Sequence, residues 1–468
     1  MHFPKVSVII PTYNGADFLG DAIQSVLGQT YPNFELIVVN DASPDHTTEV
    51  VKQFDVSRLK YIIHEKNKGV GQARHTGFQA SSGEIIALLD QDDYFHPEKL
   101  RAHVMFLESN PEIGFAYNAR FELNYSASTI RDLWRPPSNI SLADLVLWFP
   151  ISPSDAVIRR KWALEIEWLG QRRGAEIAQF GRLFMAGCKF GYVDRALNYR
   201  RHHSGRIIKD LRRACENEIS NQALILNDPH LPLELADIRN IAHTNLYIYW
   251  AFHAFRQGET ALGQEFVRSA GGLKPSIFKG KPSELLSHFL INSIDDENVN
   301  HEILLQSILS QLPAEASGLK DELGWAVQEG YLLKGARSVI WDRLEAGRQH
   351  FEQATRLGAC IDDYFLDTLT KKLLDYKVEF GAEAAQEILY TLTPLLQNLA
   401  GGTRIRSLKG SYLINLAFQY YRIGEFTKTH RTVVSAIENE PKYLMNRGVL
   451  SILGRSTLRL LYNAIIRS

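Results

Sequence analysis

Three acids in four positions, Asp90, Asp92 and Asp93, follow directly on the apolar run 85–89. Carboxylates this close repel one another unless a cation neutralises them, and hard oxygen donors favour Mg2+ or Mn2+, with a diphosphate completing the coordination. A metal held there acts as a Lewis acid towards a departing nucleoside diphosphate. The alternative is a solvated acidic turn that caps a helix beginning near Pro97, a role Asp93 alone could fill. Upstream, Asp41 ends the apolar run 34–39, where its carboxylate can accept a hydrogen bond from a nucleobase imide, and Tyr13 ends the first apolar run with an aromatic face. Read structurally, Asp41, Ser43 and Asp45 are turn and capping residues.

Between these acids lies EKNKGVGQARHTGFQ. Gly69 and Gly71 suggest a dinucleotide loop, but Arg74 stands where a third glycine is needed, and no Walker A sequence occurs. Arg74 is better read as a cation facing carbonyls or phosphates, with Gly69 and Gly77 permitting a tight turn and close packing.

The elements that must position these groups are short β-branched runs alternating with helical periodicity from Val6 to about Tyr199, the pattern of an α/β layer. Strands are expected over 6–11, 34–39, 59–63 and 85–89, and helices over 18–27 and 70–80, giving a parallel sheet with ligands beyond the carboxyl ends of its strands. Beyond about His203 long helical patterns take over. The stretch NDPHLP (227–232) marks a boundary, so the expected domains are 1–228, α/β, and 229–468, all helical. Segments 250–275, 342–359 and 416–441 resemble one another. In the first and third a glycine precedes a proline by 17 positions (275 minus 258, 441 minus 424), and Ala270, Ala354 and Ala436 occupy matching places. They are similar to the turn and second helix of tetratricopeptide-like repeats; convergent small residues in a helical bundle are the alternative. Residues 274–282 read as an internal linker.

Taken in order, VSVIIPTYNG, QTYPNFELIVVNDAS, NKGVGQARHTGF and LLDQDD resemble the family 2 glycosyltransferases, over roughly residues 4–205. The resemblance implies a GT-A (Rossmann-like) fold, a UDP- or GDP-sugar donor, Mn2+ or Mg2+, and transfer with inversion to an acceptor hydroxyl. It places Pro11, Tyr13 and Asp41 in the nucleoside pocket with Arg74 assisting, and Asp90, Asp92 and Asp93 at the metal and diphosphate. Two departures stand out. The family often has two acids and a glycine where this chain has Asn40, Asp41 and Ala42, and an asparagine at His75. Its general base is commonly an aspartate, and counting back from RLFMAGCKFGYV puts Glu176, one methylene longer, at that position. Glu165 and Glu167 are neighbouring substitutes. DRALNYRRHHSG resembles a segment that closes over the donor, which implies Tyr199 and Arg200 as donor contacts and His202 as a metal ligand, neutral imidazole being competent for that. Cell-surface glycan or polysaccharide synthesis on a glycan, lipid-linked or protein acceptor is the implied setting. The contrasting reading is a non-catalytic nucleotide-sugar binder whose helical half is a scaffold for a protein partner.

At 468 residues the chain is long enough for two or three domains, and 45% hydrophobic with 22% charged residues is ordinary globular composition. Lys plus Arg (52) nearly cancels Asp plus Glu (53), so no global positive field recruits nucleic acid. Cys188, Cys215 and Cys360 form no CxxC pair, and the N-terminus lacks a cleavage-site pattern, so a reducing, cytoplasmic setting is expected. The segment 447–468 holds four arginines and no acid. It reads either as a terminal helix packed on its neighbours or as a basic amphipathic helix making peripheral contact with the inner membrane face.

Overall fold

The computed structural model describes residues 3–54, 57–124, 129–165, 175–202, 210–235, 237–296, 299–400 and 404–467. It divides into two compact units, residues 1–292 with 306–320, and residues 293–305 with 321–468.

The first unit is built on a nine-stranded sheet: β1 (Val6–Thr12), β2 (Phe34–Asn40), β3 (Leu59–Ile63), β4 (Ile85–Leu88), β5 (Tyr94–Phe95), β6 (Ile113–Leu123), β7 (Ile130–Trp134), β8 (Val157–Arg159) and β9 (Lys189–Arg201). Their order is β3-β2-β1-β4-β8-β6-β9-β5, with β7 on β6. Successive side chains of a strand point to opposite faces, and β1 is apolar on both because both are covered. Val6, Val8 and Ile10 join Leu19, Ile23 and Val26 of the helix Ala16–Leu27, whereas Ile9 joins Phe78 of the helix Val70–Ala80. A β-carbon on Gly77 would lie 2.4 Å from Ile9 Cγ2, so this helix approaches the sheet only because residue 77 has no side chain.

The sheet is mixed, which corrects the all-parallel expectation. β3, β2, β1 and β4 are parallel neighbours, but β8 is antiparallel to β4 and β6, β7 to β6, and β5 to β9. Buried apolar runs report that both faces are covered, not which way a strand points. This is a Rossmann-like sheet with helices on both faces. Its parallel half sets Thr12 beside Asn40 and Ile9 beside Leu88, which brings the carboxyl ends of β1, β2 and β4 to one rim.

Beyond Arg201 the described residues form helices and no strand. Three hairpins share one turn. Ile238–Arg256 leads to Thr260–Leu273 through Gly258 (φ 80°), Leu323–Ile340 to Leu344–Arg356 through Asp342 (φ 57°), and Arg404–Arg422 to Phe426–Asn439 through Gly424 (φ 79°). The left-handed residue always stands two positions before the second helix, and Ala270, Ala354 and Ala436 are fully buried in that helix. Residues 274–282 are no linker between the units. They belong to the first, where Ile277 is fully buried and Lys274 pairs with Glu284 at 2.6 Å.

One buried acid contributes a pH response of its own to the second unit, beside those of His301 and His350, whose imidazoles burial pushes down to about 4. Glu329 is 1% exposed, its Oε1 has no hydrogen-bond partner, and burial followed by the charge of Asp362 pushes its carboxyl up to about 9. Between its usual value near 4.5 and 9 the folded chain keeps a proton on Glu329 that the unfolded chain releases, so the contribution of this residue to stability falls as pH rises through the window. Glu329→Gln removes the titration at nearly constant shape. Its melting temperature should match the parent near pH 4.5 and exceed it increasingly towards pH 9; an offset constant with pH in thermal scans would contradict this.

Candidate functional site

At the rim where β1, β2 and β4 end, a cluster of charges centres on Arg74, 3% exposed, in the first turns of the helix Val70–Ala80. That helix is entered through Gly69 at φ 89°, a left-handed conformation that needs glycine. The Arg74 guanidinium donates from Nη2 to Asp90 Oδ1 at 2.8 Å and from Nη1 to Glu176 Oε1. Glu176 lies in the first turn of the helix Ala175–Met185. A residue on one helix thus joins the acid loop after β4 to the acid that the sequence singles out as base. Although burial opposes it, the charges of Glu176 and Asp90 raise Arg74 above its ordinary value and keep it a cation.

The acids are mutually destabilising. Burial raises Asp90, Arg74 opposes that, and Asp92 and Glu176 raise it again; burial, Asp92 and Asp90 push Asp93 well up. Asp93 accepts from Ser154 Oγ at 2.6 Å and from the Arg201 amide at 3.3 Å. It does not cap the helix Lys99–Ser109, whose N-cap is Glu98. Among the described residues no three acid, histidine or cysteine side chains converge as a ready metal cage. The donor chemistry nonetheless fits Mg2+ or Mn2+: hard carboxylate oxygens under like-charge strain, in the manner of sites that use one or two carboxylates and complete the shell with substrate phosphates.

Asp41, 2% exposed, takes the Lys68 amide at 2.8 Å and His64 Nδ1 at 2.7 Å on Oδ1, and the Gly69 amide at 2.7 Å on Oδ2. It therefore holds the turn that launches the Arg74 helix, and one lone-pair direction on Oδ2 is left for a further donor. Tyr13 is 47% exposed while Pro11 is buried within β1 opposite Val39. Ala42 adopts φ 59°, which explains why glycine is favoured at this position in the family pattern.

The end of β9 reaches the same rim. Tyr199 pairs with Tyr94 and stacks on its ring at 4.8 Å. Arg200, although burial opposes it, is raised by Glu122, Asp93 and Asp155. His202 Nε2 is engaged by Glu122, which Arg120 also binds at 2.7 Å. The structure therefore brings Arg74, Asp90 and Glu176 into contact and links Asp93 to β9, whereas the partner of His202 is a glutamate outside the acid loop. Glu165 ends a separate helix, Arg160–Glu165, and Glu167 lies outside the described residues.

Three residues here escaped the sequence reading. His64 bridges Asp41 and Thr76, its Nε2 lying 2.9 Å from Thr76 Oγ1. Gln91 Oε1 accepts from Thr12 Oγ1 at 2.7 Å and from the Tyr13 amide at 2.9 Å, tying the first strand's exit to the acid loop. Ser154 Oγ accepts from the Asp90 amide at 3.1 Å while donating to Asp93. Gln91 stood in plain view between the acids; nothing near Ser154 in the sequence marks it.

Residues 7–166 match the family model for glycosyl transferase family 2. An uncharacterized glycosyltransferase of Rickettsia bellii (strain RML369-C) is 44% identical over 106 residues, 23% of this chain and 15% of its own length. The Escherichia coli enzyme UDP-Glc:alpha-D-GlcNAc-diphosphoundecaprenol beta-1,3-glucosyltransferase WfgD is 42% identical over 113 residues, 24% of this chain and 44% of its own length. The chain thus spans less than half of either relative. Among solved structures, Staphylococcus aureus TarS 1-349 in complex with UDP-GlcNAc aligns at 19% identity over 76% of this chain and 93% of that one, with a TM-score of 0.41. The chain carries a family 2 glycosyltransferase domain.

Two stability measurements probe this geometry. Arg74→Met strands two largely buried carboxylates and should cost about 3 kcal/mol in denaturant melts; a loss under about 1 kcal/mol would show that the triad is solvated. Ala42→Gly relieves a left-handed alanine and should leave stability unchanged or raise it by up to about 1 kcal/mol, so marked destabilisation would contradict the assigned backbone.

Proposed function

We propose that this family 2 glycosyltransferase domain moves a sugar from a nucleoside-diphosphate donor to an acceptor hydroxyl with inversion, in the assembly of cell-surface polysaccharide. The observation that carries this reading is the Arg74 bridge, which holds the acid loop and Glu176 on a single guanidinium. The nucleoside sits against Tyr13 and Asp41, whose remaining lone pair accepts the base imide of a uridine or guanosine donor. The diphosphate lies over the acid loop, with Arg200 and Tyr199 at its edge. When bound, Mn2+ or Mg2+, held by Asp92 with Asp90, neutralises charge on the diphosphate. Asp93, turned to Ser154 and Arg201, fixes the loop from beneath.

Glu176 removes the acceptor hydroxyl proton as that oxygen attacks the anomeric carbon on the face opposite the diphosphate. The glycosidic C–O bond forms while the bond to the diphosphate oxygen breaks, and the proton ends on the carboxylate. Arg74 occupies Oε1 of Glu176 and so orients the other oxygen. Glu is one methylene longer than the family's usual aspartate, and docking its head group on Arg74 offers a way to take up that extra reach. The name of the relative WfgD gives it a UDP-glucose donor and a lipid-diphosphate-linked sugar acceptor; a saccharide acceptor of that class suits this domain too.

Binding and turnover separate the roles. Thermal shifts with UDP- and GDP-sugars should appear only for the cognate donor and grow with Mn2+, because a ligand that binds only the folded state raises its melting temperature. Asp92→Asn should abolish the Mn2+ increment and turnover together. Glu176→Gln should leave the donor shift within error while cutting turnover roughly a hundredfold or more. Equal loss of both would remove Glu176 from the base position, and full turnover in Asp92→Asn would remove the metal.

A further inference from the structure

The second unit carries a surface that the transferase reading does not use. Helix Arg447–Arg467 packs onto the hairpin Arg404–Arg422/Phe426–Asn439 through Val449, Ile452 and Ser456, which are 1%, 5% and 0% exposed and recur at the spacing of one helical face. The opposite side of the same turns bears Leu450 and Leu458, 44% and 68% exposed, with Gly454 between them. The preceding turn adds Leu444 and Met445, 51% and 88% exposed. Arg447 and Arg455 flank these side chains and are themselves exposed. Arg455 is braced by a 3.3 Å hydrogen bond to the Tyr421 hydroxyl, and Arg459 lies 6.0 Å from the centre of the Phe426 ring. From Pro441 to Ser468 the chain has no acid.

Four large apolar side chains set among guanidiniums, with no carboxylate in the segment, complement a layered partner: an apolar depth beneath a sheet of phosphates. No described helix is long and apolar enough to cross a membrane, so this one would lie along the surface. We propose that the exposed face of residues 444–459 docks peripherally on an anionic phospholipid bilayer, the leucines and methionine entering the acyl boundary and the arginines binding lipid phosphate.

The test is sedimentation of the full chain with phosphatidylcholine vesicles, alone or containing phosphatidylglycerol. Binding is expected only to the anionic vesicles and should weaken with salt. Arg447→Gln/Arg455→Gln should reduce partitioning roughly 25-fold, at about fivefold per cation near the surface. Leu450→Gln/Leu458→Gln should reduce it roughly tenfold or more. Both pairs are exposed, so circular dichroism melts should match the parent. Amide exchange on the parent gives a second measure: vesicles should slow exchange over 444–459. Absence of binding, equal binding to neutral vesicles, loss in the arginine pair alone, or protection appearing only elsewhere would each overturn the proposal. None of these outcomes bears on donor binding or turnover, so the transferase reading stands or falls separately.

Discussion

A guanidinium removed from water between two carboxylates is the constraint on which the rim depends. Arg74 could not be 3% exposed without Asp90 and Glu176 to meet its charge. Those acids, crowded further by Asp92, would in turn be costly to bury without it. Buried ion pairs of this kind add little net stability, since desolvation cancels most of the attraction, but they tolerate few alternative arrangements. Their effect here is geometric: three chain segments more than a hundred residues apart at the extremes share one set of hydrogen bonds.

Around that centre the acid loop is clamped from both sides. Gln91 ties it to the exit of β1, and Ser154 ties its backbone to Asp93. Asp41 performs a similar task for the loop that enters the Arg74 helix, using both carboxylate oxygens on backbone amides. Side chains that a functional reading assigns to a ligand therefore also carry structural bonds, and a substitution at Asp41 would disturb the turn at Gly69 as well as any nucleoside contact.

Much of this was legible before any coordinates. The helix over 70–80 and the strand over 59–63 coincide with the elements found, the strand through its β-branched content and the helix through its place between two strands that need a crossover. The close packing foreseen for Gly77 is found against Ile9, whose Cγ2 a β-carbon on residue 77 would meet at 2.4 Å. Strand direction was not legible, since burial on two faces leaves the same apolar signature in either sense. Nor were the contacts of Ser154, His64 and His202, which depend on register across β2 and β3 for His64 and across β4, β8, β6 and β9 for the other two, rather than on anything local. The helical half shows a related contrast. Matching alanines and glycines announced the hairpins, but the middle copy uses Asp342 in place of glycine, and only the backbone reveals that it makes the same left-handed turn.

The Gln91 clamp also leaves no room at Gly15. A β-carbon there would fall 2.1 Å from Gln91 Oε1, inside the side chain that grips Tyr13. Any larger residue at position 15 must evict that amide, releasing the first loop from the acidic one without touching a charged group. The two positions are thus coupled: a side chain at one displaces the flexible end of the other, so a silent-looking change in a glycine can loosen a loop some seventy-five residues away.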